Sequence, residues 1–289
     1  MLLNDRVFIT GITGLIGSRL ADYLTKYNFK IWGCSRKAKK NFKYNLTKIN
    51  LCNLPKLIKE IKTIKPNIIF HLAGSNDNSF SSNPYNIINN NVRSTNNLLR
   101  ACEDIDEDNL KIIICSSVEL TNNFSKLSLD SPYIFSKRYI EDIINLYNKR
   151  LKAKIILVRF GTVFGPCDSN SHRLIPSFFD NFKRNIVDLD SFSKVKQKFL
   201  FVDDAVKGLI HSTFSKSIRK KIPLYTFEGR QISSAFIMAS YFNNNIIKNI
   251  PIKKITLPTF DSLKKKWKTT ISIEEGLDYC IKYFKSNYY

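Results

Sequence analysis

The sequence predicts an α/β fold, a doubly wound parallel sheet followed by a small C-terminal lobe, and three observations carry that expectation. Apolar runs of strand length alternate with stretches whose apolar residues recur at helical spacing, from Arg6 through Arg159. A glycine-rich turn, Thr10-Gly11-Ile12-Thr13-Gly14-Leu15-Ile16-Gly17, joins the first strand to the first helix. Beyond Gly165-Pro166 the alternation gives way to shorter elements and more polar loops.

Taken in order, the pattern predicts a buried strand from Arg6 to Thr10, a helix from Leu15 to Tyr27 and a strand from Lys30 to Cys34. A helix from Leu54 to Lys65 stops before Pro66, and a strand follows from Asn67 to His71. Next come a helix near Ile87 to Cys102, a strand from Lys111 to Ser116, a helix near Tyr133 to Leu151 and a strand from Lys154 to Arg159. Parallel strands need crossover connections, and these helices supply them, so the unit is Rossmann-like. Residues 1–163 are expected to form this domain and residues 164–289 the smaller, substrate-binding lobe, with the chain near 199–215 returning to the first domain.

The 289 residues carry a formal charge of +22, yet the lysines are spread along the chain with no aromatic-basic interleaving. No nucleic-acid partner is expected on that pattern. The runs Lys37-Ala38-Lys39-Lys40 and Lys264-Lys265-Lys266 read as solvated loops. No apolar run is long enough to cross a bilayer, and the first residues lack a secretory h-region, so no membrane association and a cytoplasmic location are expected. Six scattered cysteines without a C-x-x-C pair, and only three histidines, predict reduced thiols and no metal.

Gly11, Thr13, Gly14, Leu15, Ile16 and Gly17 place glycines where a helix begins, with free backbone N–H groups facing the turn. That arrangement suits a dinucleotide pyrophosphate. At the end of the second strand, where an NAD-preferring protein usually places a carboxylate, the chain reads Gly33-Cys34-Ser35-Arg36-Lys37. Ser35 can donate to a 2′-phosphate and Arg36 can pair with it, so NADPH is expected over NADH; the alternative makes Arg36 an ordinary surface residue. Tyr133-Ile134-Phe135-Ser136-Lys137 puts a phenol and an ammonium one helical turn apart. The fixed charge would favour the phenolate and let Tyr133 exchange a proton with a substrate oxygen. Upstream, Ser116 and Ser117 end a strand where a hydroxyl could bond the same oxygen.

With those residues in view, the chain resembles the extended short-chain dehydrogenase/reductases, the nucleotide-sugar epimerase, dehydratase and reductase group. Gly11 to Gly17, His71-Leu72-Ala73-Gly74, Asn91 to Leu99, Ser116-Ser117, Tyr133 to Lys137, Arg159 to Pro166, Phe199 to Asp204 and Trp267 to Leu277 follow that family's order. The resemblance implies a catalytic trio of Ser117, Tyr133 and Lys137, with Lys137 also holding the nicotinamide ribose. It implies further that Leu72, Ala73 and Gly74 line the cofactor, that Asn91 joins the active-site hydrogen bonds, and that the substrate is a nucleotide-diphosphate sugar. A homodimer is also implied, through the helices around Ile87 to Cys102 and Tyr133 to Leu151, with Ile140, Ile143, Ile144 and Tyr147 offering an apolar stripe, although one such stripe is required by the sheet anyway.

Departures from the family pattern are informative. Asn50-Leu51 stands where Asp-Leu often touches adenine, and Thr162 replaces the Asn of an Arg-x-x-Asn segment beginning at Arg159. Gln197-Lys198 replaces the Arg-Asp whose arginine grips the substrate pyrophosphate, leaving Lys196, Lys198 or Arg173 as candidate anchors. A 4,6-dehydratase would need an extra acid and base; Glu119 stands at a matching position, with Val118 instead of an acidic neighbour. An epimerase that reuses NAD favours the carboxylate missing after Gly33. A reductase needs only a hydride donor and the Tyr133 proton. Similarity of Pro132 to Asp142 and Phe199 to Val206 to the CDP-abequose and paratose synthases leads to a 4-ketoreductase as the expected activity, with epimerase or dehydratase as the alternative and a non-catalytic, RNA-binding relative as a remote one.

Overall fold

The computed structural model describes residues 5–37, 42–75, 83–105, 109–121, 131–168, 173–184, 189–215, 222–248, 252, 255 and 258–288. The lysine run beginning at Lys37 and the first four residues extend outside them. The described chain divides into two compact units, Met1–Arg159 with Ser212–Thr226, and Phe160–His211 with Phe227–Tyr289.

In the first unit, β1 (Arg6–Thr10), β2 (Lys30–Ser35), β3 (Asn45–Lys48), β4 (Ile68–His71), β5 (Lys111–Ser117), β6 (Lys154–Phe160) and β9 (Leu224–Phe227) form one sheet in the order β3-β2-β1-β4-β5-β6-β9. The pairs β1–β2, β1–β4, β2–β3 and β4–β5 are parallel, with Thr10 aligned to Cys34 on one side and His71 on the other. The direction of winding reverses between β1 and β4. At that reversal the crossovers leave to opposite sides, opening a crevice beyond the carboxyl ends of the strands.

Helices α1 (Leu15–Lys26), α2 (Leu54–Ile64), α3 (Pro84–Ala101) and α4 (Pro132–Tyr147) connect these strands. Three begin on a side-chain cap followed by proline: Asn53 accepts from Lys56 N, Asn83 from Tyr85 N and Ser131 from Ile134 N. The caps move two starts relative to expectation, α3 to Pro84 and α4 to Pro132, because proline fits the first helical turn. Leu57, Ile61, Leu98, Leu99, Ile140 and Ile144 bury one face of α2, α3 and α4 against Ile69, Ile112, Ile114 and Ile155 of the sheet.

That burial assigns the apolar stripe of α4 to the sheet. Ile140, Ile144 and Tyr147 belong to the chain's own core and Ile143 packs against it. The exposed apolar residues of α4 are instead Phe135, Tyr139 and Leu146, the last 69% exposed. They lie on the helix face turned from the sheet.

In the second unit, β7 (Thr162–Phe164) pairs parallel with β8 (Gln197–Phe201), which pairs antiparallel with β10 (Ile232–Ser233). Helices α5 (Leu174–Lys183), α6 (Val202–Phe214, whose end from Ser212 belongs to the first unit), α7 (Ala235–Asn245), α8 (Phe260–Lys265) and α9 (Ile273–Tyr288) are the remaining described α-helices. The segment that returns to the first unit is 212–226 rather than 199–215. The reason is pairing: β8 is consumed by its own small sheet, whereas β9 extends the large one at β6, where Leu157 N donates to Pro223 O. The first boundary likewise falls after Arg159, four residues earlier than expected.

Candidate active site

The glycine turn is built by close backbone approach. Gly11 has φ +70°, and a Cβ there would lie 2.8 Å from Ala73 N and 2.9 Å from Ala73 Cα. The chain after β4 therefore rests directly on the turn. At Gly17 a Cβ would come within 2.2 Å of Gly11 O, so α1 also packs onto the turn with no room for a side chain. Gly14 caps α1 without a side-chain acceptor, unlike the caps of α2, α3 and α4, so the first-turn N–H groups at Leu15, Ile16 and Gly17 have no side-chain partner at that cap. Thr13 Oγ1 donates to Ser35 Oγ at 3.4 Å, joining the turn to the end of β2.

Beyond Ser35, Arg36 is exposed, and no carboxylate occurs from Gly33 through Lys37. Asn50 is exposed, with its side-chain oxygen accepting from Cys52 N at 3.0 Å, while Leu51 is buried and its carbonyl accepts from Asn97 Nδ2. Asn50 thus shapes a turn after β3. Leu72 and Ala73 are half-buried, and Gly74 is exposed beside Lys137, whose Nζ would be 3.7 Å from a Cβ at that glycine.

Asn91 sits buried on α3 and ties three segments together. Its Oδ1 accepts from Ser75 N at 2.7 Å, and its Nδ2 donates to Ser75 O at 2.9 Å and to Ser136 Oγ at 3.0 Å. Ser136 in turn donates to Tyr133 O at 2.7 Å. The segment following β4 is thereby locked to the first turn of α4.

Lys137 is buried and donates to Cys115 O at 2.8 Å, with its ammonium 5.5 Å from the centroid of the Tyr133 ring. Burial lowers the ammonium's pKa, while Cys115 and Glu141 act in the opposite direction. Ser117 is the last residue of β5, buried, with its Oγ accepting from Glu119 N at 3.3 Å. Phenol, ammonium and hydroxyl are thus carried by the start of α4 and the end of the strand that Lys137 touches. Glu119 lies on the 3-10 turn Val118–Thr121; it is exposed by area, yet surrounding protein desolvates its carboxyl enough to raise the pKa.

The four candidate substrate residues lie in the second unit, with different engagements. Thr162 Oγ1 donates to Gln197 Oε1 at 3.0 Å, and Lys198 pairs with Glu228 at 3.2 Å. Arg173 is held by Asp168 at 3.2 Å and donates to Val163 O at 2.9 Å. Lys196 is exposed.

Sequence reasoning missed two clusters. His71, quoted only within a motif, is buried between Thr10 and Thr95. In the second unit, buried Asp204 pairs with Lys207 at 2.9 Å and accepts from Thr270 N, Thr270 Oγ1 and Ile271 N, while its carbonyl accepts from Trp267 Nε1. An ionisable pair inside otherwise apolar helical spacing at positions 204 and 207 was the available signal. Among the described residues no cluster of metal-ligating side chains occurs, and no helix is long and apolar enough to cross a membrane.

These cradles fit a dinucleotide: backbone lies where side chains would block a diphosphate, and the uncapped N-terminus of α1 favours an anion. The model of the NAD dependent epimerase/dehydratase family matches residues 7–216. The chain belongs to that family. Members of the NAD dependent epimerase/dehydratase family similar to it include dTDP-D-glucose 4,6-dehydratase of Dictyostelium discoideum, 28% identical over 72% of this chain. That match spans about half of the relative, 55% of its length. CDP-abequose synthase of Salmonella typhimurium is 28% identical over 78% of this chain and 74% of its own. The Bordetella bronchiseptica enzyme WbmF, solved in complex with NAD+ and UDP, superposes with a TM-score of 0.79 at 20% identity, over 98% of this chain and 93% of WbmF, which shows the shared fold. The family is one of NAD-dependent enzymes.

Proposed function

We propose that this protein is an NADPH-dependent reductase of a 4-keto, deoxy sugar nucleotide, working in the cytoplasm as a homodimer. The observation that carries the reading is the end of β2, where Ser35 and exposed Arg36 stand with no carboxylate from Gly33 through Lys37. A guanidinium there favours a 2′-phosphate, and a reductase spends NADPH as an exchangeable substrate. Similarity to a CDP-abequose synthase supports the sugar-nucleotide class.

Bound in the cradle, a dinucleotide would be the source of hydride for the carbonyl carbon. Ser117 Oγ would hold the carbonyl oxygen and Tyr133 would give it a proton, so the carbonyl becomes a hydroxyl. Lys137, steadied by Cys115 O, keeps positive charge beside the phenol and is the residue that would hold the nicotinamide ribose. Asn91, through Ser136, holds the helical turn on which Tyr133 sits. Thr13, Ser35 and Arg36 would take the adenosine side, with Asn50 and Leu51 near adenine. Thr162, Lys196, Lys198 and Arg173 are the candidates for the substrate.

The test measures dinucleotide affinity for both cofactors and then NADPH oxidation with a panel of 4-keto sugar nucleotides. NADPH should bind more tightly and be consumed with one of them, and Arg36→Asp should reverse the cofactor order. A wild-type preference for NADH overturns the reading. The family's epimerase and dehydratase members make a second reading, favoured by the raised carboxyl of Glu119, an added acid beside Ser117. Its mark would be conversion of a sugar nucleotide without net consumption of cofactor.

A further inference from the structure

The His71 ring makes a bond at each nitrogen, and the surrounding groups leave one way to distribute the protons. Thr10 Oγ1 lies 2.8 Å from Nδ1 and Thr95 Oγ1 lies 2.9 Å from Nε2. Thr10 Oγ1 accepts from Ala73 N at 3.2 Å, and Nδ1 is the one acceptor the described residues offer its own hydrogen. Thr95 donates its hydrogen to Asn91 O at 2.9 Å, so its lone pair faces Nε2. Nδ1 is therefore an acceptor and Nε2 carries the proton. The opposite tautomer would leave a buried hydroxyl hydrogen without an acceptor. The result is a single directed chain: Ala73 N–H to Thr10, Thr10 to His71, His71 to Thr95, and Thr95 to Asn91 O.

Both ends of this chain touch the site. Ala73 is the residue that presses on Gly11, where a Cβ would meet its N at 2.8 Å. Asn91 grips Ser75 and Ser136, and through Ser136 the first turn of α4. His71 has 3% of its surface exposed, and burial together with the Lys137 ammonium pushes its pKa down to about 3. It can therefore stay neutral beside Lys137, and a fixed neutral ring serves as a spacer rather than as an acid.

We infer that His71 is a positioning residue that sets the separation between the dinucleotide cradle at Gly11 and Ala73 and the α3–α4 seam at Asn91, through one fixed tautomer. The inference rests on the dinucleotide reading of the cradle and not on the choice of sugar substrate. Its test therefore uses dinucleotide binding and spectroscopy, which stay informative if the proposed reaction is wrong.

In the full-length protein labelled with 15N at histidine, the His71 ring should show a protonated Nε2 and a bare Nδ1 and should not titrate between pH 5 and 8. His71→Gln keeps one donor and one acceptor, whereas His71→Phe keeps only the volume. Losing both buried bonds should weaken dinucleotide binding by about tenfold in His71→Phe, with His71→Gln recovering most of it. Thr95→Val, which removes the acceptor of Nε2–H together with the hydroxyl's bond to Asn91 O, should weaken binding severalfold and shift the Nε2 resonance; it carries the same comparison where His71→Phe does not fold. A bare Nε2, titration in that range, or unchanged dinucleotide affinity in Thr95→Val overturns the inference. Equal affinities in the Gln and Phe variants would also do so, since a purely space-filling ring predicts that equality.

Discussion

Replacing Gly11 by alanine tests the cradle where the geometry is tightest. The added methyl carbon would stand 2.8 Å from Ala73 N, 2.9 Å from Ala73 Cα and 3.0 Å from Leu72 C, all backbone atoms. Ordinary carbon contacts lie at about 3.5–4.0 Å, so the chain after β4 must retreat by at least ~0.5 Å. No side-chain rotation can relieve this. The left-handed backbone at φ +70° adds about 1–2 kcal/mol for a residue with a Cβ, and relief of the overlap adds about 1–3 kcal/mol. A loss of roughly 2–5 kcal/mol follows, which for a domain of this size lowers Tm by roughly 4–20 °C. Because Ala73 and Leu72 flank the cradle, dinucleotide affinity should fall by at least about tenfold, at temperatures where the variant remains folded. Differential scanning fluorimetry and fluorescence titration with NADPH read the two effects. A Tm within 2 °C of wild type together with unchanged affinity would refute the claim that backbone closeness builds this site.

Three other outcomes are expected. Tyr133→Phe should lower turnover by about a hundredfold or more, the contribution of a general acid, while dinucleotide affinity survives; near wild-type turnover would remove Tyr133 from the mechanism. Light scattering at micromolar concentration should give a dimer for the wild-type chain and a monomer for Leu146→Glu, which puts a charge on the exposed row with Phe135 and Tyr139; a wild-type monomer refutes it. His71 is held neutral with its pKa near 3 against 6.5 when unfolded, so the unfolded chain binds the extra proton first as pH falls. Its contribution to stability is fully present above pH 6.5 and should fade by about 1.4 kcal/mol per pH unit below it; denaturant unfolding of wild type and His71→Gln at several pH values should show a gap that narrows with acidity, and a constant gap counts against it.

The sequence by itself determined the alternation of strands and helices from Arg6 to Arg159, since helical and strand periods are local properties of side-chain order. It marked the glycine turn as well, because the packing of Gly17 on Gly11 O is local to the turn, whereas the closeness of Ala73 to Gly11 came only with the tertiary structure. Tyr133 and Lys137 were readable for the same reason, one helical turn apart in any folded context. What the tertiary structure decided depends on neighbours distant in sequence. The stripe of Ile140, Ile144 and Tyr147 is equally good for a core or an interface, and only the packing of α4 on the sheet assigned it inward and left Phe135, Tyr139 and Leu146 outside. The 199–215 segment shows apolar residues suited to either unit; the pairing of β8 with β7 and β10 resolved it. Above all, Thr10, His71 and Thr95 are separated by 61 and 24 residues, and nothing in their local spacing distinguishes them from ordinary polar residues. Hydrogen bonds form where two groups meet in space, and that meeting is set by the register of β1 against β4 and the seating of α3 over them.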